Sequence, residues 1–284
     1  MIHCKELNKD FSTKKEMFSA LVENKDVLMA QKKAIKKEVD CGIIVTPTIV
    51  REKNIEANKE EGEIIDSINI NELKVVVIIN TTNFLDKHGD VHMPGLWNKS
   101  LSENKMIMHL QEHEMEFDKI IADGEQLKAY TKTYTWAELG YSYQGLTEGL
   151  TFESTILRKR NEFMLNQYAN GWVKNHSVGM YYVKMDFAIN DEDYPNEFEA
   201  WNKYYSQIAN KEVADERGYF WYVLEAKVIE GSAVPLGSNS ATPTLEIGSK
   251  SEPLEDTQKN IEPEQSTQKG IDYNYLIENL KLRQ

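Results

Sequence analysis

The chain has 284 residues, 40% of them apolar, which is enough to bury a substantial core in one large domain or two small ones. Acidic residues outnumber basic ones by 46 to 33, and the formal charge of −13 argues against a nucleic-acid duplex or an anionic membrane as the main partner. Cys4 and Cys41 lack the Cys-x-x-Cys spacing of a metal site, which favours a reducing compartment inside a cell. No apolar run approaches the roughly 18 residues of a membrane span.

Residues 1–69 are predicted to form a helical extension followed by a charged connection. A capping box at Thr13 and Glu16 opens a helix over 13–38, whose apolar stripe predicts packing on a core or on a partner helix. A short strand is expected at 42–45, and the charged stretch 51–62 has the composition of a mobile connection.

The central part of the chain combines strand patterns with one predicted helix. Residues 73–80 are rich in Val and Ile and predict a buried strand, and 105–111 and 126–135 are also predicted as strands. Residues 151–169 are predicted as a helix that ends at Asn170-Gly171, because glycine accepts the left-handed conformation of a helix C-terminus without a Cβ penalty.

Ser177 stands at the start of a predicted strand over 178–187, whose Tyr, Val, Met and Phe residues suit burial on both faces. Two interpretations are open for this serine. It either bonds only to nearby backbone, as many serines at strand starts do, or it acts chemically with a base. His176 is excluded as that base, because adjacent strand residues point to opposite faces.

The last long strand is predicted over 219–234, after a helix inserted at 192–211. Regular alternation would place Glu230 on one face with apolar residues, namely Phe220, Tyr222, Leu224, Ala226 and Val228. An unpaired buried carboxylate is costly, so such a residue is usually protonated, near the rim of the sheet, or paired with a positively charged or hydrogen-bonding group. A bulge, or exposure at the strand end, is the alternative. Residues 243–284 have the Ser, Thr, Pro and Glu content of a flexible tail, with one short helical pattern at 273–282.

Four histidines form two pairs with i, i+4 spacing: His88 with His92, and His109 with His113. On a helix this spacing can bind zinc, which makes a metal-dependent hydrolase one alternative function. The surrounding patterns are those of a loop and a strand, so no metal cofactor is predicted. The other alternative is that His113, flanked by Glu112 and Glu114, is the base for Ser177.

Three stretches, taken in chain order, resemble the prohead (capsid maturation) serine proteases of tailed phages, which are similar to the herpesvirus assembly proteases. The resemblance covers roughly residues 70–242. The stretches are Asp86-x-His-Gly-Asp-Val-x-x-Pro-Gly95 with His113 downstream, His176-Ser-Val-Gly-Met180 after a helix ending at Gly171, and a final strand with Glu230-x-Ser232-x-Val234.

The resemblance implies a catalytic triad of Ser177, His113 and Glu230. It also implies an α+β fold with a mostly antiparallel, barrel-like sheet, surrounding helices and a protease domain over 70–242. The sequence departs from the family at Glu114, where Asp is more usual, and at Gly231, where a branched residue is usual. The N-terminal helix and the 192–211 insertion lie outside the family pattern.

The expected function is therefore a serine endopeptidase that cleaves scaffold or capsid segments, and itself, inside an assembling prohead in the host cytoplasm. A serine hydroxyl becomes a useful nucleophile only when an oriented base takes its proton, which agrees with these three residue types. No cofactor, nucleic acid or membrane is expected, and self-association into a homo-oligomer is compatible with the sequence. The alternatives are the metal-dependent hydrolase and a protease-like capsid assembly component without catalytic activity.

Overall fold

The N-terminal residues form a small hairpin and two helices: β1 (Ile2–Cys4), β2 (Lys9–Phe11), α1 (Lys14–Glu23) and α2 (Lys25–Ala34). The predicted cap at Thr13 is confirmed, since its hydroxyl accepts a hydrogen bond from the Glu16 amide at 3.2 Å. The predicted single helix over 13–38 is wrong, because α1 ends at Glu23 and α2 begins at Lys25, and the side chain of Asn24 between them bonds back to the Ala20 carbonyl.

The computed structural model describes residues 1–34, 70–104 and 106–249. The predictions for 42–45, 51–62 and 273–282 fall outside these residues. Residues 1–34 belong to the same compact unit as the predicted protease domain, rather than to a separate extension. One reason is Lys32 of α2. Its ammonium group is buried and donates to Asp90 Oδ1 at 2.5 Å and to the His88 carbonyl at 3.1 Å.

Two sheets make up most of the rest of the fold. The elements are β3 (Glu72–Thr81), β4 (Asp90–His92), α3 (Asn98–Glu103), β5 (Met108–Gln111), β6 (Ile120–Asp123), β7 (Leu127–Thr135), β8 (Leu146–Leu157), α4 (Glu162–Ala169), β9 (Asn175–Ile189), α5 (Pro195–Tyr204), α6 (Lys211–Arg217), β10 (Tyr219–Val234) and β11 (Thr244–Ser249). The five-stranded sheet has the order β4–β10–β5–β6, with β9 paired along the other side of β10, and the four-stranded sheet has the order β11–β3–β8–β7.

The predicted α+β class is confirmed, with antiparallel pairs throughout except that β4 and β5 run parallel to β10. Over the described ranges the strands form separate sheets and do not close into a barrel. The sheets meet in the main core, to which Val77 and Phe152 contribute from one sheet and Met180 and Val228 from the other. No helix within these ranges has the length and hydropathy needed to cross a bilayer.

Two predicted segments differ in the structure. The helix predicted over 151–169 is wrong for its first half, because β8 pairs there with both β3 and β7, and only α4 is helical. Asn161 caps α4 by accepting the Met164 amide at 2.9 Å, so the helix begins at Glu162, eleven residues later than predicted. The flexible tail does not begin at 243, because β11 pairs antiparallel with β3 and buries Thr244 and Ile247. The overall polar composition of the tail concealed this short alternating segment.

The regular alternation predicted for β10 is wrong, because its register shifts near Leu224 and again between Val228 and Glu230. Ala226 and Val228 both face the core between the sheets. Gly231 faces it too, since a Cβ added there would lie 2.6 Å from the Phe152 ring. Glu230 is therefore on the opposite, outer face from Ala226 and Val228, as expected when a bulge reverses strand parity.

This close approach generates the first prediction. Gly231→Ala should lower the free energy of unfolding by about 1–3 kcal/mol, because the added methyl group would overlap Phe152 and Ile79 in a packed core. Chemical denaturation measures the change. Gly248→Ala is the matched control, since a Cβ added to that strand glycine meets no atom within 4 Å. Equal stability of the two variants would show that the core accommodates the methyl group.

Candidate active site

Glu230 is the most deeply buried of the three residues predicted to act together. Its side chain has no solvent exposure, and its Oε1 atom lies 2.7 Å from His113 Nδ1. Its other oxygen, Oε2, accepts a hydrogen bond of 2.6 Å from the Ser232 hydroxyl. An ionised carboxylate is a pure acceptor, so His113 carries its proton on Nδ1 in this pair. Each oxygen of Glu230 therefore has a hydrogen-bond partner, as the burial of a carboxylate requires.

His113 is positioned by a strained turn just after β5. Both Glu112 and His113 have left-handed backbone conformations, with φ values of 52° and 64°. Such conformations cost free energy in residues other than glycine, so surrounding contacts have to hold them. The Glu112 amide bonds to the Ala233 carbonyl at 2.9 Å, and the His113 amide bonds to Ser232 Oγ at 3.1 Å. The turn thus directs the imidazole towards Glu230.

Ser232 holds two parts of this arrangement at once, and the sequence analysis assigned it no role. Its hydroxyl donates to Glu230 and accepts from the His113 amide. The available signal was its i, i+2 spacing from Glu230, which places both side chains on one face of a strand. Ser232 therefore fixes the carboxylate and the histidine turn relative to each other.

Ser177 reaches the same face of the sheet from β9. In the antiparallel register of β9 and β10 it lies directly opposite Ser232, so the two Cβ atoms are expected to be about 4.5–5.5 Å apart on one face. Ser177 is 6% exposed, and although its backbone pairs with β10, its hydroxyl makes no hydrogen bond with another described residue. His113 Nε2 is buried and likewise has no such partner. The structure thus joins His113 to Glu230 directly and brings Ser177 beside them through Ser232, without a bond between Ser177 and His113.

The four histidines of the metal alternative do not share a site. His92 Nε2 lies 2.9 Å from the Tyr182 hydroxyl, His109 bonds to Ser154 and Tyr168, and His113 bonds to Glu230. Within the described part of the chain, no three His, Cys, Asp or Glu side chains are grouped so that they could hold a metal ion. The structure therefore provides no common ligand set for His88, His92, His109 and His113.

His176 lies on the inner face, behind Ser177, as the alternation of β9 requires. Its ring is fully buried between the Tyr168 hydroxyl, 3.0 Å from Nε2, and the Thr242 carbonyl, 2.9 Å from Nδ1. Burial lowers the pKa of His176 to about 4. The pKa of His109, which shares Tyr168 with it, is also well below the usual value, first because of burial and then because of the nearby His176. Both imidazoles are neutral at pH 7.

No protein-family model, curated protein or solved structure matches this chain. The interpretation of the site therefore depends on its geometry and on the motifs themselves.

The buried imidazoles predict a loss of stability in mild acid. In the unfolded chain His176 has a pKa near the ordinary value of about 6.5, so the unfolded state binds more protons once the pH falls below that value. The free energy of unfolding should decrease between about pH 6.5 and 4, with a contribution of about 3 kcal/mol from His176 and a further one of the same sign from His109.

Chemical denaturation at several pH values between 7 and 4 measures this slope. His176→Asn keeps a donor near the Thr242 carbonyl but does not titrate, so its stability should depend less steeply on pH than that of the parent. Parallel curves for the two proteins would contradict the buried, neutral state of His176.

Proposed function

We propose that this protein is a serine endopeptidase in which Ser177 is the nucleophile, His113 the general base and Glu230 the orienting acid. The observation that carries the proposal is the 2.7 Å contact between His113 Nδ1 and the fully buried Glu230, together with a buried His113 Nε2 that no described residue bonds. This tautomer leaves the lone pair of Nε2 available to accept a proton, as a serine nucleophile requires.

The proposed mechanism uses these groups in turn. Ser177 Oγ attacks the scissile carbonyl carbon while His113 Nε2 takes the hydroxyl proton, and the Glu230 carboxylate stabilises the imidazolium that forms. His113 then gives this proton to the leaving amine, and water releases the acyl group by the same route. Ser232 keeps Glu230 Oε2 in place throughout. Substrate binding has to bring Ser177 Oγ and His113 Nε2 into hydrogen-bond reach, a closure typical of sites that are loose before substrate binds.

Several large apolar side chains are exposed close to this site in the chain. Met115 and Phe117 follow His113 at 56% and 94% exposure, and Trp172 precedes Ser177 at 64%. A groove of about 260 Å³ adjoins the histidine turn, lined in part by Glu112, Phe163, Trp172 and Pro235. Exposed aromatic and thioether groups are typical of surfaces that bind peptides. This distribution favours a polypeptide substrate over a small molecule.

The biological setting follows from the motif resemblance. We propose that the chain is related to the phage prohead proteases and, through them, to the barrel-like herpesvirus assembly proteases. Its substrates would be scaffold or major capsid protein segments and the chain itself, inside a prohead in the host cytoplasm. The order of the three motifs supports this setting, and the convergence of their His, Ser and Glu residues on one sheet face supports the chemistry.

The triad assignment predicts a graded set of variants. Ser177→Ala and His113→Ala should each reduce peptide-bond cleavage by about a thousandfold or more, and Glu230→Gln should have a smaller effect, because the orienting acid commonly costs less than the nucleophile or base. Cleavage of scaffold-derived peptides, and covalent labelling by a fluorophosphonate probe located by peptide mass, give the two readouts. Ser102→Ala and His3→Ala are exposed matched controls that should retain activity.

The outcomes separate the three candidate functions. Labelling at Ser177 that is lost in Ser177→Ala supports the protease. Cleavage that disappears with a chelator and returns with zinc would support the metal-dependent hydrolase. A folded parent protein that is never labelled and never cleaves would support a non-catalytic assembly component.

Self-processing is the next expectation, and the structure narrows where it should occur. From the sequence, the expected cleavage region is 243–268, because it is longer and has fewer apolar residues than the charged stretch 51–62, which is the less favoured site. Because β11 holds Thr244–Ser249 in a sheet, cleavage in the first region is expected only beyond Ser249. Intact-mass measurement of the active protein should show loss of a C-terminal fragment that Ser177→Ala retains. An active enzyme that stays full length for days at high concentration would exclude self-cleavage.

A further inference from the structure

A chain of five buried polar groups lies behind Ser177, on the inner face of its strand. The groups are Ser154, His109, Tyr168, His176 and Thr242, and each is at most 1% exposed. In this order, three distances join them up to His176: 2.9 Å from Ser154 Oγ to His109 Nδ1, 3.2 Å from His109 Nε2 to the Tyr168 hydroxyl, and 3.0 Å from that hydroxyl to His176 Nε2. The last distance, 2.9 Å, joins His176 Nδ1 to the Thr242 carbonyl. The chain links β8, β5, α4, β9 and the segment before β11.

The Thr242 carbonyl determines the position of every proton in this hydrogen-bonded chain. A carbonyl can only accept, so His176 carries a proton on Nδ1, and a neutral ring must then accept from Tyr168 at Nε2. With its proton donated to His176, the Tyr168 oxygen accepts from His109 Nε2–H. His109 Nδ1 therefore accepts from the Ser154 hydroxyl. The two histidines hold opposite tautomers, and every member is satisfied only while both rings are neutral.

Thr242, at the end of this hydrogen-bonded chain, binds the backbone of His176, the residue next to the nucleophile. Thr242 Oγ1 donates to the His176 carbonyl at 2.8 Å and accepts from the His176 amide at 3.2 Å, in addition to the contact between its own carbonyl and the ring. Gly237 also passes close to His176, since a Cβ added there would lie 2.8 Å from its carbonyl oxygen. The backbone at His176 is thus held from the side that does not pair with β10.

We propose that this hydrogen-bonded chain positions Ser177 for catalysis, with Tyr168 as a positioning residue that couples the two histidines. The inference rests on the proposed protease function for its catalytic consequence. Fixed placement of a nucleophile matters because a displacement of about 1 Å can reduce a rate by roughly a hundredfold. Nothing in the chain touches the reacting atoms, so its effect reaches them through the backbone at His176.

The charge state of this hydrogen-bonded chain depends on few groups. The titratable members are His109, Tyr168 and His176, and their hydrogen-bond partners on the neighbouring described elements are hydroxyls and one carbonyl, with no carboxylate or amine among them. A proton added to either imidazole would meet no counter-charge in this group. It would leave the Tyr168 proton without its acceptor or put two donors face to face.

Tyr168→Phe tests the proposal, because it removes one hydroxyl and keeps the ring. Tyr134→Phe is the matched control. Tyr134 is also buried, and its hydroxyl bonds to Thr151 at 3.0 Å, outside the chain. Thr242→Val is a second variant, which removes the two hydrogen bonds between the Thr242 hydroxyl and the His176 backbone without changing the side-chain shape greatly. Three measurements apply: long-range ¹H–¹⁵N spectra of the histidine rings, amide hydrogen exchange at Ser177, and the fluorophosphonate labelling rate of Ser177.

In the parent protein at pH 7 we expect a proton on His176 Nδ1 and on His109 Nε2. In Tyr168→Phe and Thr242→Val, the Ser177 amide should exchange at least tenfold faster than in the parent, and Ser177 should be labelled at least tenfold more slowly. Both rates in Tyr134→Phe should stay within about twofold of those in the parent. A different tautomer pattern, or exchange and labelling in Tyr168→Phe equal to those in Tyr134→Phe, would overturn the proposal. If the parent is never labelled, the protease function fails, and the exchange and ring spectra still decide the positioning role.

Discussion

A single buried carboxylate determines how the candidate site is built. Glu230 has no exposure to water, so its charge has to be compensated by neighbouring groups. His113 and Ser232 provide that compensation, one on each oxygen. The strained turn at Glu112 and His113 lies at the position from which the His113 imidazole reaches this carboxylate. The same contact that makes the carboxylate tolerable in the fold also fixes the histidine tautomer that base catalysis needs.

The strand β10 is what brings these groups together, and the sequence predicted its extent but not its geometry. Its bounds, Tyr219 and Val234, match the prediction, because a long run of aromatic and β-branched residues admits few other structures. The three shifts in its register were beyond prediction, since a bulge depends on pairing with β9 rather than on local composition. Glu230 is paired, which is one of the states that the sequence left open for a buried carboxylate, although the predicted parity was wrong for Ala226 and Val228.

Other outcomes follow the same division between local and distant causes. The Thr13 cap was predictable because it involves only the first turn of a helix. β8 was missed although its threonines favour strands, because its long pairing with β3 joins parts of the chain that are far apart in sequence. The three candidate site residues could be named from motif order, whereas the role of Ser232 and the chain through Tyr168 required knowledge of which side chains share a face. Burial of Lys32 against Asp90 was hidden for the same reason, because a lysine-rich helix face looks solvated in isolation.

The pairing of β5 with β10 joins residues more than a hundred positions apart, and Thr242 lies later still. During synthesis the chain emerges from its N-terminus, so His113 and Ser177 are available long before Glu230, Ser232 and Thr242. A nascent chain therefore cannot assemble the arrangement until nearly the whole described domain has left the ribosome. The order of the strands in the chain therefore makes the candidate site one of the last features of this domain that can form.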